Sequence, residues 1–199
     1  MKRIYADYDQ EGVFVYQAFK AKTVLKATAI GRFGTGFNRN RSTWIKPSFG
    51  WMLQRSGYAS KHRQDGIARI KISHEGFLAI LNQSIHTEFD ERSGSSRLFW
   101  RRALDLTEVR HQWDPDRDLR GRPNERRAIQ IGLSGATVHR YVDEWILGIE
   151  DVTELAKEIG RAVKSRMKVL PPCPELKVYE LNSELSTKLG IDSSVEKIP

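Results

Sequence analysis

Residues 32–56, RFGTGFNRNRSTWIKPSFGWMLQRS, combine arginine, tryptophan and glycine at a density that favours ligand binding over ordinary core packing. Guanidinium groups match phosphate oxygens with parallel hydrogen bonds, and indole rings stack on planar groups such as nucleobases. This combination predicts a surface that grips an anionic ligand. The predicted phosphate contacts in this stretch are Arg32, Arg39, Arg41, Lys46, Ser48 and Arg55.

The loop GRFGTGFNRNR, residues 31–41, places glycines beside arginines. Glycine lets backbone amides approach a phosphate closely. The loop is not a Walker loop, because the closing lysine and hydroxyl residues are missing. It is not a dinucleotide fingerprint either, because its glycine spacing differs and a helix precedes it. We therefore assign no cofactor. A flexible, solvated loop is the alternative interpretation.

Lys46, Pro47 and Ser48 mark the predicted start of a helix, where free backbone N–H groups attract anions. Ser48 also suits the N-cap position, and no base lies at a spacing that would activate it as a nucleophile. Trp51 falls off the apolar stripe of this helix, so we predict that it stacks on the ligand. Trp44 lies in a short predicted strand, and we expect it in the core.

Two further basic segments extend the predicted anion site. The segment QRSGYASKHR, residues 54–63, adds Lys61, and the segment RDLRGRPNERR, residues 117–127, adds Arg126 and Arg127. Basic residues interleaved with aromatic ones are typical of surfaces that contact nucleic acid. The alternative is a solvated basic face for the first segment and an exposed strand face for Arg126 and Arg127.

The segment EVRHQWDPDRD places a histidine close to carboxylates, a combination used in acid–base catalysis. We predict His111 as the general acid–base, with Asp114 or Asp116 orienting its ring. Trp113 is the second predicted stacking ring, beside Trp51.

The same aspartates resemble the start of a calcium-binding loop, because Asp114, Asp116 and Asp118 alternate along the chain. Leu119 stands where such a loop needs glycine for its sharp turn, and arginines follow. We therefore assign no metal and expect these carboxylates to form ion pairs with the arginines.

Composition narrows the class of protein. The chain has 199 residues, of which 39% are apolar, and a net charge of +8, so RNA or a nucleotide is the expected partner. No apolar run is long enough to span a membrane, and the N-terminus lacks the apolar core of a signal peptide. The one cysteine, Cys173, excludes an internal disulfide, and we expect a cytoplasmic protein.

Strand and helix periodicities alternate without a strict βαβ rhythm, which predicts an α+β fold. We expect a single compact domain over residues 1–170, with a mixed or antiparallel sheet and flanking helices. Residues 171–199 are predicted as a tail that starts at a proline-rich motif and carries a short helix. The predicted strands cover residues 3–19, 43–45, 67–73 and 129–133, and the predicted helices cover 20–30, 48–57, 77–81 and 151–165. Residues 113–124 are predicted as a charged, turn-rich segment.

Long, specific segments of the chain resemble the family catalogued as domain of unknown function family 4291, over about residues 3–170. They are YQAF at 16–19, GRF at 31–33, TWIKPSFGWMLQRSGY at 43–58, IARIKISHEGF at 67–77 and VRHQWDPDRDLRGRPNERRAIQIGL at 109–133. Fungal proteins similar to this family make arginine-containing cyclic dipeptides from aminoacyl-tRNA. The resemblance therefore implies an RNA-dependent aminoacyl transferase, and it carries over no catalytic residues.

Three hypotheses follow from the sequence. The first is an enzyme that acts on an RNA-linked or nucleotide substrate, in the form of an aminoacyl-tRNA-dependent transferase similar to arginine-containing cyclodipeptide synthases. The second is a non-catalytic RNA- or DNA-binding module, which needs the basic and aromatic residues but not His111. The third is a small-molecule enzyme whose arginines hold a nucleotide cofactor. All three require the cationic and indole side chains to converge on one cleft.

Overall fold

Strands and helices alternate along a computed structural model that describes residues 1–91 and 94–192. The strands are β1 (Tyr5–Ala6), β2 (Gly12–Phe19), β3 (Thr43–Ile45), β4 (Gly66–Ser73), β5 (Ile85–His86), β6 (Val109–Arg117), β7 (Pro123–Leu133), β8 (Ile146–Asp151) and β9 (Lys177–Val178). The helices are α1 (Ala21–Ile30), α2 (Phe49–Ser56), α3 (His74–Gln83), α4 (Arg97–Leu106), α5 (Gly135–Arg140), α6 (Thr153–Lys164) and α7 (Ser183–Lys188), with a π-helical turn at Tyr141–Trp145. Within the described residues, no helix is both long enough and apolar enough to cross a bilayer.

Two main sheets face each other through the core. One is antiparallel, in the order β2-β4-β8, and the other is mixed, in the order β3-β7-β6-β5, because β5 runs parallel to β6. A backbone hydrogen bond of 2.8 Å from Tyr16 to the carbonyl of Lys46 links the two sheets. The predicted single α+β domain with mixed and antiparallel sheets is confirmed.

The core is formed by the side chains that alternate strand residues point inward. On β7, Ile129, Ile131 and Leu133 point inward, and they meet Ile70 and Ile72 of β4 in one apolar cluster. A second cluster lies under α2 and α6. Burial of each such side chain contributes roughly 1.5–3 kcal/mol relative to leaving it exposed, so the two clusters fix the sheets and the helix that border the site.

Helix α2 begins and ends where its residues predict. The Ser48 hydroxyl caps it by accepting a hydrogen bond of 3.2 Å from the Trp51 backbone N–H. Gly57 ends it in the left-handed region, at φ 59°, where a side chain would be strained. Helix α6 starts later than predicted, at Thr153, and the Asp151 carboxylate accepts from the Thr153 N–H instead of forming a capping box.

Residues 113–117 and 123–124 are strand, which corrects the prediction that residues 113–124 form a turn-rich segment. Only the connection between β6 and β7 turns, where the Asp118 carboxylate accepts from the backbone N–H groups of Arg120 and Arg122, each at 2.9 Å. The remainder pairs as an antiparallel hairpin with a bulge between Pro115 and Arg117. Charged residues obscured the strand because they occupy its outward face.

The segment after the proline-rich motif packs on the domain. Strand β9 pairs with β1, and the side chains of Tyr179, Leu185 and Leu189 are buried in the main core. The Trp113 indole N–H donates to the Leu189 carbonyl at 2.9 Å. Residues 171–192 therefore belong to the folded unit, and residues 193–199 of the predicted tail lie outside the described residues.

Candidate functional site

A cleft of about 590 Å³ opens over the outward face of the four-stranded sheet. Because side chains alternate along a strand, this face receives Trp44 of β3, Gln130 of β7, and Gln112 and Asp114 of β6. Lys46, two residues beyond Trp44, lies on the same side. Helix α2 and the loop before β4 close the other wall.

A buried ion pair forms the base of the cleft. Lys46 is 1% exposed, and its Nζ lies 2.5 Å from Asp114 Oδ2 and 3.5 Å from the centre of the Trp51 ring. Gln112 Nε2 donates to the other oxygen of Asp114 at 2.8 Å. Burial lowers the pKa of Lys46 from 10.5 to about 8, against the opposing effect of Asp114 and Asp116. The ammonium group therefore loses its proton at a pH well below that of an ordinary lysine.

Two tryptophans border the cleft, and one of them was expected elsewhere. Trp51 faces the cleft, as the sequence predicts for a residue off the apolar stripe of α2. Trp44 is 41% exposed and lines the cleft, so its expected place in the core was wrong. The neighbouring Ile45 takes the inward position instead, because adjacent residues on a strand point to opposite faces.

Two arginines stand at the rim. Arg55 of α2 and Arg63 of the following loop are exposed and line the cleft, and neither forms an ion pair within the described residues. Lys61 points elsewhere, since its Nζ donates to the Arg55 carbonyl at 2.8 Å. Arg63 and its neighbour Gln64 were not among the predicted site residues, although Arg63 lies in the predicted basic segment of residues 54–63.

The arginines of the glycine-rich loop do not line the cleft. Arg39 forms an ion pair of 2.7 Å with Asp143, and Arg32 and Arg41 are exposed outside it. Only Ser42, next to Arg41, reaches the cleft wall. The structure therefore does not bring these three arginines to the cleft.

Ser48 and Arg126 both bind the buried carboxylate of Asp116, outside the cleft. The Ser48 hydroxyl donates to Asp116 Oδ1 at 2.5 Å, and Arg126 Nε lies 2.6 Å from Asp116 Oδ2. Arg126 also lies over the Tyr5 ring and borders a second cavity of about 720 Å³. Arg127 is exposed, and its backbone N–H donates to the Met1 carbonyl. These residues anchor the hairpin and do not reach the cleft.

His111 and Trp113 point into the core. His111 is 1% exposed, and neither ring nitrogen has a hydrogen-bond partner within the described residues. Burial first, then His86, Lys188 and Lys2, lower the pKa of His111 to about 3. Asp114 points to the opposite face of β6, so the predicted pairing of His111 with a carboxylate does not form. Trp113 is buried as well, which takes it away from any ligand.

Each of the three alternating aspartates forms an ion pair with a basic side chain. Their partners are Lys46 for Asp114, Arg126 for Asp116 and Arg122 for Asp118. The pairs of Asp116 and Asp118 with arginines are those expected from the sequence, whereas the pairing of Asp114 with a lysine was not predicted. No group of three or more His, Cys, Asp or Glu side chains in the described part of the chain is placed to hold a metal ion.

Comparison with family profiles gives one match, Domain of unknown function (DUF4291), over residues 3–179. The chain belongs to this family. The DUF4291 match extends past the proline-rich motif to Tyr179, so it includes β9 as well as both main sheets. Comparisons with curated proteins and with solved structures gave no match.

Proposed function

We propose that this DUF4291 protein is an enzyme that acts on an RNA-linked or nucleotide substrate bound in the cleft at Lys46. The reaction class we propose is aminoacyl transfer from aminoacyl-tRNA. The observation that carries the proposal is the buried Lys46–Asp114 pair at the base of an open cleft.

A buried ion pair is poor evidence for stability, because removing two charges from water costs more than their attraction commonly returns. Such a pair in a cleft is better evidence for chemistry, since proton transfer is most effective when the pKa of the catalytic group lies near the working pH. The pKa of Lys46, lowered to about 8, meets that requirement.

The rim supports an anionic substrate. Arg55 and Arg63 are exposed and lack carboxylate partners within the described residues, so their charge is available to phosphate groups. The net charge of +8 adds a longer-range attraction for a polyanion such as RNA. Trp51 holds Lys46 through its ring face and restricts where the ammonium group can go.

Aminoacyl transfer asks little of the protein beyond placement and proton transfer. The amine of one aminoacyl group attacks the ester carbonyl of the other, so a C–N bond forms and the ester C–O bond breaks. The attacking amine loses a proton, and the leaving ribose oxygen gains one. Lys46, in its neutral form, accepts the first proton and returns the second, while Asp114 orients it. Holding two reactants together supplies on the order of 7–11 kcal/mol of the barrier.

Lys46→Met tests the proposal because it keeps an unbranched side chain, one atom shorter than that of lysine, and removes the exchangeable proton. We expect aminoacyl-tRNA turnover, followed by mass spectrometry of the products, to fall by roughly 100-fold or more. Affinity for tRNA, measured by fluorescence anisotropy, stays within about threefold, since the rim arginines remain. Wild-type turnover rises with pH and levels off above about pH 8, as Lys46 loses its proton.

Lys157→Met is the matched control, because Lys157 is half-exposed on α6 and pairs only with Glu154 among the described residues. Unchanged turnover in Lys46→Met would contradict the proposal. Salt-sensitive tRNA binding without any product from the wild type would favour the non-catalytic binding module instead. A thermal shift with free nucleotides but none with tRNA would favour the enzyme that uses a nucleotide cofactor.

A further inference from the structure

We infer that the cleft contains a subsite for a heterocyclic base, which stacks on the indole of Trp44 and presents its edge to the amide of Gln130. The inference rests on the proposed function for the nucleotide nature of the ligand. It adds which part of the nucleotide enters the cleft and which residues select it.

The Trp44 ring is held flat by the strand beside it. Trp44 of β3 pairs with Gly132 of β7, and a Cβ atom added at Gly132 would lie 2.9 Å from Cη2 and Cζ3 of the indole. The ring therefore lies directly on the Gly132 backbone, in space that any side chain there would take. The Gly132 backbone supports the indole from one side. Trp44 is 41% exposed, and its exposed surface borders the cleft.

A buried amide fixes the strand that carries this ring. Gln17 Nε2 donates to the Trp44 carbonyl at 3.0 Å and to the Thr43 hydroxyl at 2.6 Å, while the Tyr141 hydroxyl donates to Gln17 Oε1 at 2.9 Å. Gln17 and Tyr141 are both buried, so this network holds the backbone before any ligand arrives. A platform that is already in place loses little entropy when a ring stacks on it.

Trp51 is less suited to this role, although the sequence predicted it. The Lys46 ammonium group occupies one face of its ring, 3.5 Å from the ring centre. Trp51 also packs against the apolar cluster under α2. Its ring surface is therefore already used to hold Lys46, and Trp44 is the stacking ring with free surface.

Gln130 supplies the polar contact at the edge of the base. It lies on β7 two residues before Gly132, on the same face as Trp44, and opposite Gln112. Gln112 is already bound to Asp114, whereas the Gln130 amide forms no hydrogen bond within the described residues. An amide has one acceptor and two donor hydrogens side by side, which matches a base edge with an amino group next to a ring nitrogen, as in adenine.

AMP and ribose 5-phosphate separate this inference from simple phosphate binding, because they share sugar and phosphate and differ only by the base. By calorimetry, we expect the wild type to bind AMP at least about tenfold more tightly than ribose 5-phosphate. Trp44→Leu lowers AMP affinity by roughly 5- to 150-fold and leaves the affinity for ribose 5-phosphate within about twofold. Gln130→Leu lowers AMP affinity by about 5- to 10-fold.

Phe99→Leu is the control for loss of an exposed ring, because Phe99 is 73% exposed on α4 and does not line the cleft. Equal affinities of the wild type for AMP and ribose 5-phosphate would overturn the inference, as would no binding of AMP. Unchanged AMP affinity in Trp44→Leu would overturn it too. The Lys46→Met turnover experiment uses aminoacyl-tRNA, so it judges the proposed function separately from this result.

Discussion

At the scale of single residues, Lys46 and His111 show how strand alternation separates chemistry from structure. Both are buried ionisable groups, and burial lowers the pKa of each. Lys46 faces the cleft beside Asp114, so its charge has a partner. His111 faces the core without a hydrogen-bond partner in the described chain, so it stays neutral and distant from the cleft.

His111→Leu tests this distinction, since leucine fills a similar volume without ring nitrogens. In the wild type, the unfolded chain binds a proton near pH 6.5, whereas folded His111 remains neutral down to about pH 3. The unfolded state therefore binds more protons in this window, and wild-type stability falls as pH drops below 6.5. Relative to the variant, the wild-type free energy of unfolding decreases by about 2 kcal/mol between pH 7.5 and pH 5.

Urea unfolding of both proteins at the two pH values measures this difference. Turnover at neutral pH is expected to be the same in the wild type and in His111→Leu, because the side chain does not reach the cleft. A folded His111→Leu protein without activity would instead restore His111 as the acid–base group.

At the scale of elements, the β6–β7 hairpin and helix α2 build the cleft together. The hairpin provides Gln112, Asp114 and Gln130 on its outward face, and α2 provides Trp51 and Arg55. Their contact is close at the bulge of β6. A Cβ atom added at Gly50 would lie 2.2 Å from the Arg117 carbonyl oxygen, so the helix approaches the strand through a position that only glycine allows.

Gly50→Ala is therefore expected to push α2 away from the hairpin. Overpacking at a close contact costs about 1–3 kcal/mol of unfolding free energy, and the shift also separates Trp51 from Lys46. We expect both the unfolding free energy, measured with denaturant, and the turnover to decrease. Gly148→Ala is the control, because nothing lies within 4 Å of a Cβ atom at Gly148, and its unfolding free energy stays within about 0.5 kcal/mol of wild type. Equal effects of the two substitutions would argue against the close contact.

The same elements show where prediction from sequence worked. The helical stripe of α2, its Ser48 cap and its Gly57 stop are local features, and each was correctly predicted. The β6–β7 hairpin was missed because its outward residues are charged, so alternation was hidden among Asp and Arg. Trp44 was placed in the core because an indole in a short strand is usually buried, and nothing local indicates that Ile45 takes the inward position.

At the scale of the whole molecule, the basic charge is unevenly available. Several arginines are held by carboxylates, such as Arg39 by Asp143 and Arg126 by Asp116. Arg55 and Arg63 remain at the rim of the cleft without such a partner among the described residues. Arg55 and Arg63 are therefore positions at the cleft where positive charge is not offset by a carboxylate of the described chain.

The salt dependence of tRNA binding tests this distinction between paired and unpaired arginines. Each phosphate contact releases counterions, so Arg55→Gln and Arg63→Gln each weaken tRNA binding and reduce the slope of log K against log salt by about 1. Arg39→Gln removes the same charge from a residue already paired with Asp143, and its slope stays close to that of wild type. Anisotropy titrations at several salt concentrations measure the slopes. If Arg39→Gln reduced the salt dependence as much as Arg55→Gln does, the distinction between paired and unpaired arginines would be contradicted.

The sequence by itself determined the family, the α+β class and the limits of α1 and α2, because these depend on long motifs, on periodicity and on caps formed within a few residues. It also selected Lys46, Trp51, Arg55 and Asp114, which the fold brings together in one cleft. Only the tertiary structure decided that Trp44 joins them and that His111 does not. The physical reason is that the face on which a strand residue lies depends on register and on which sheet covers it, and both are set by distant parts of the chain.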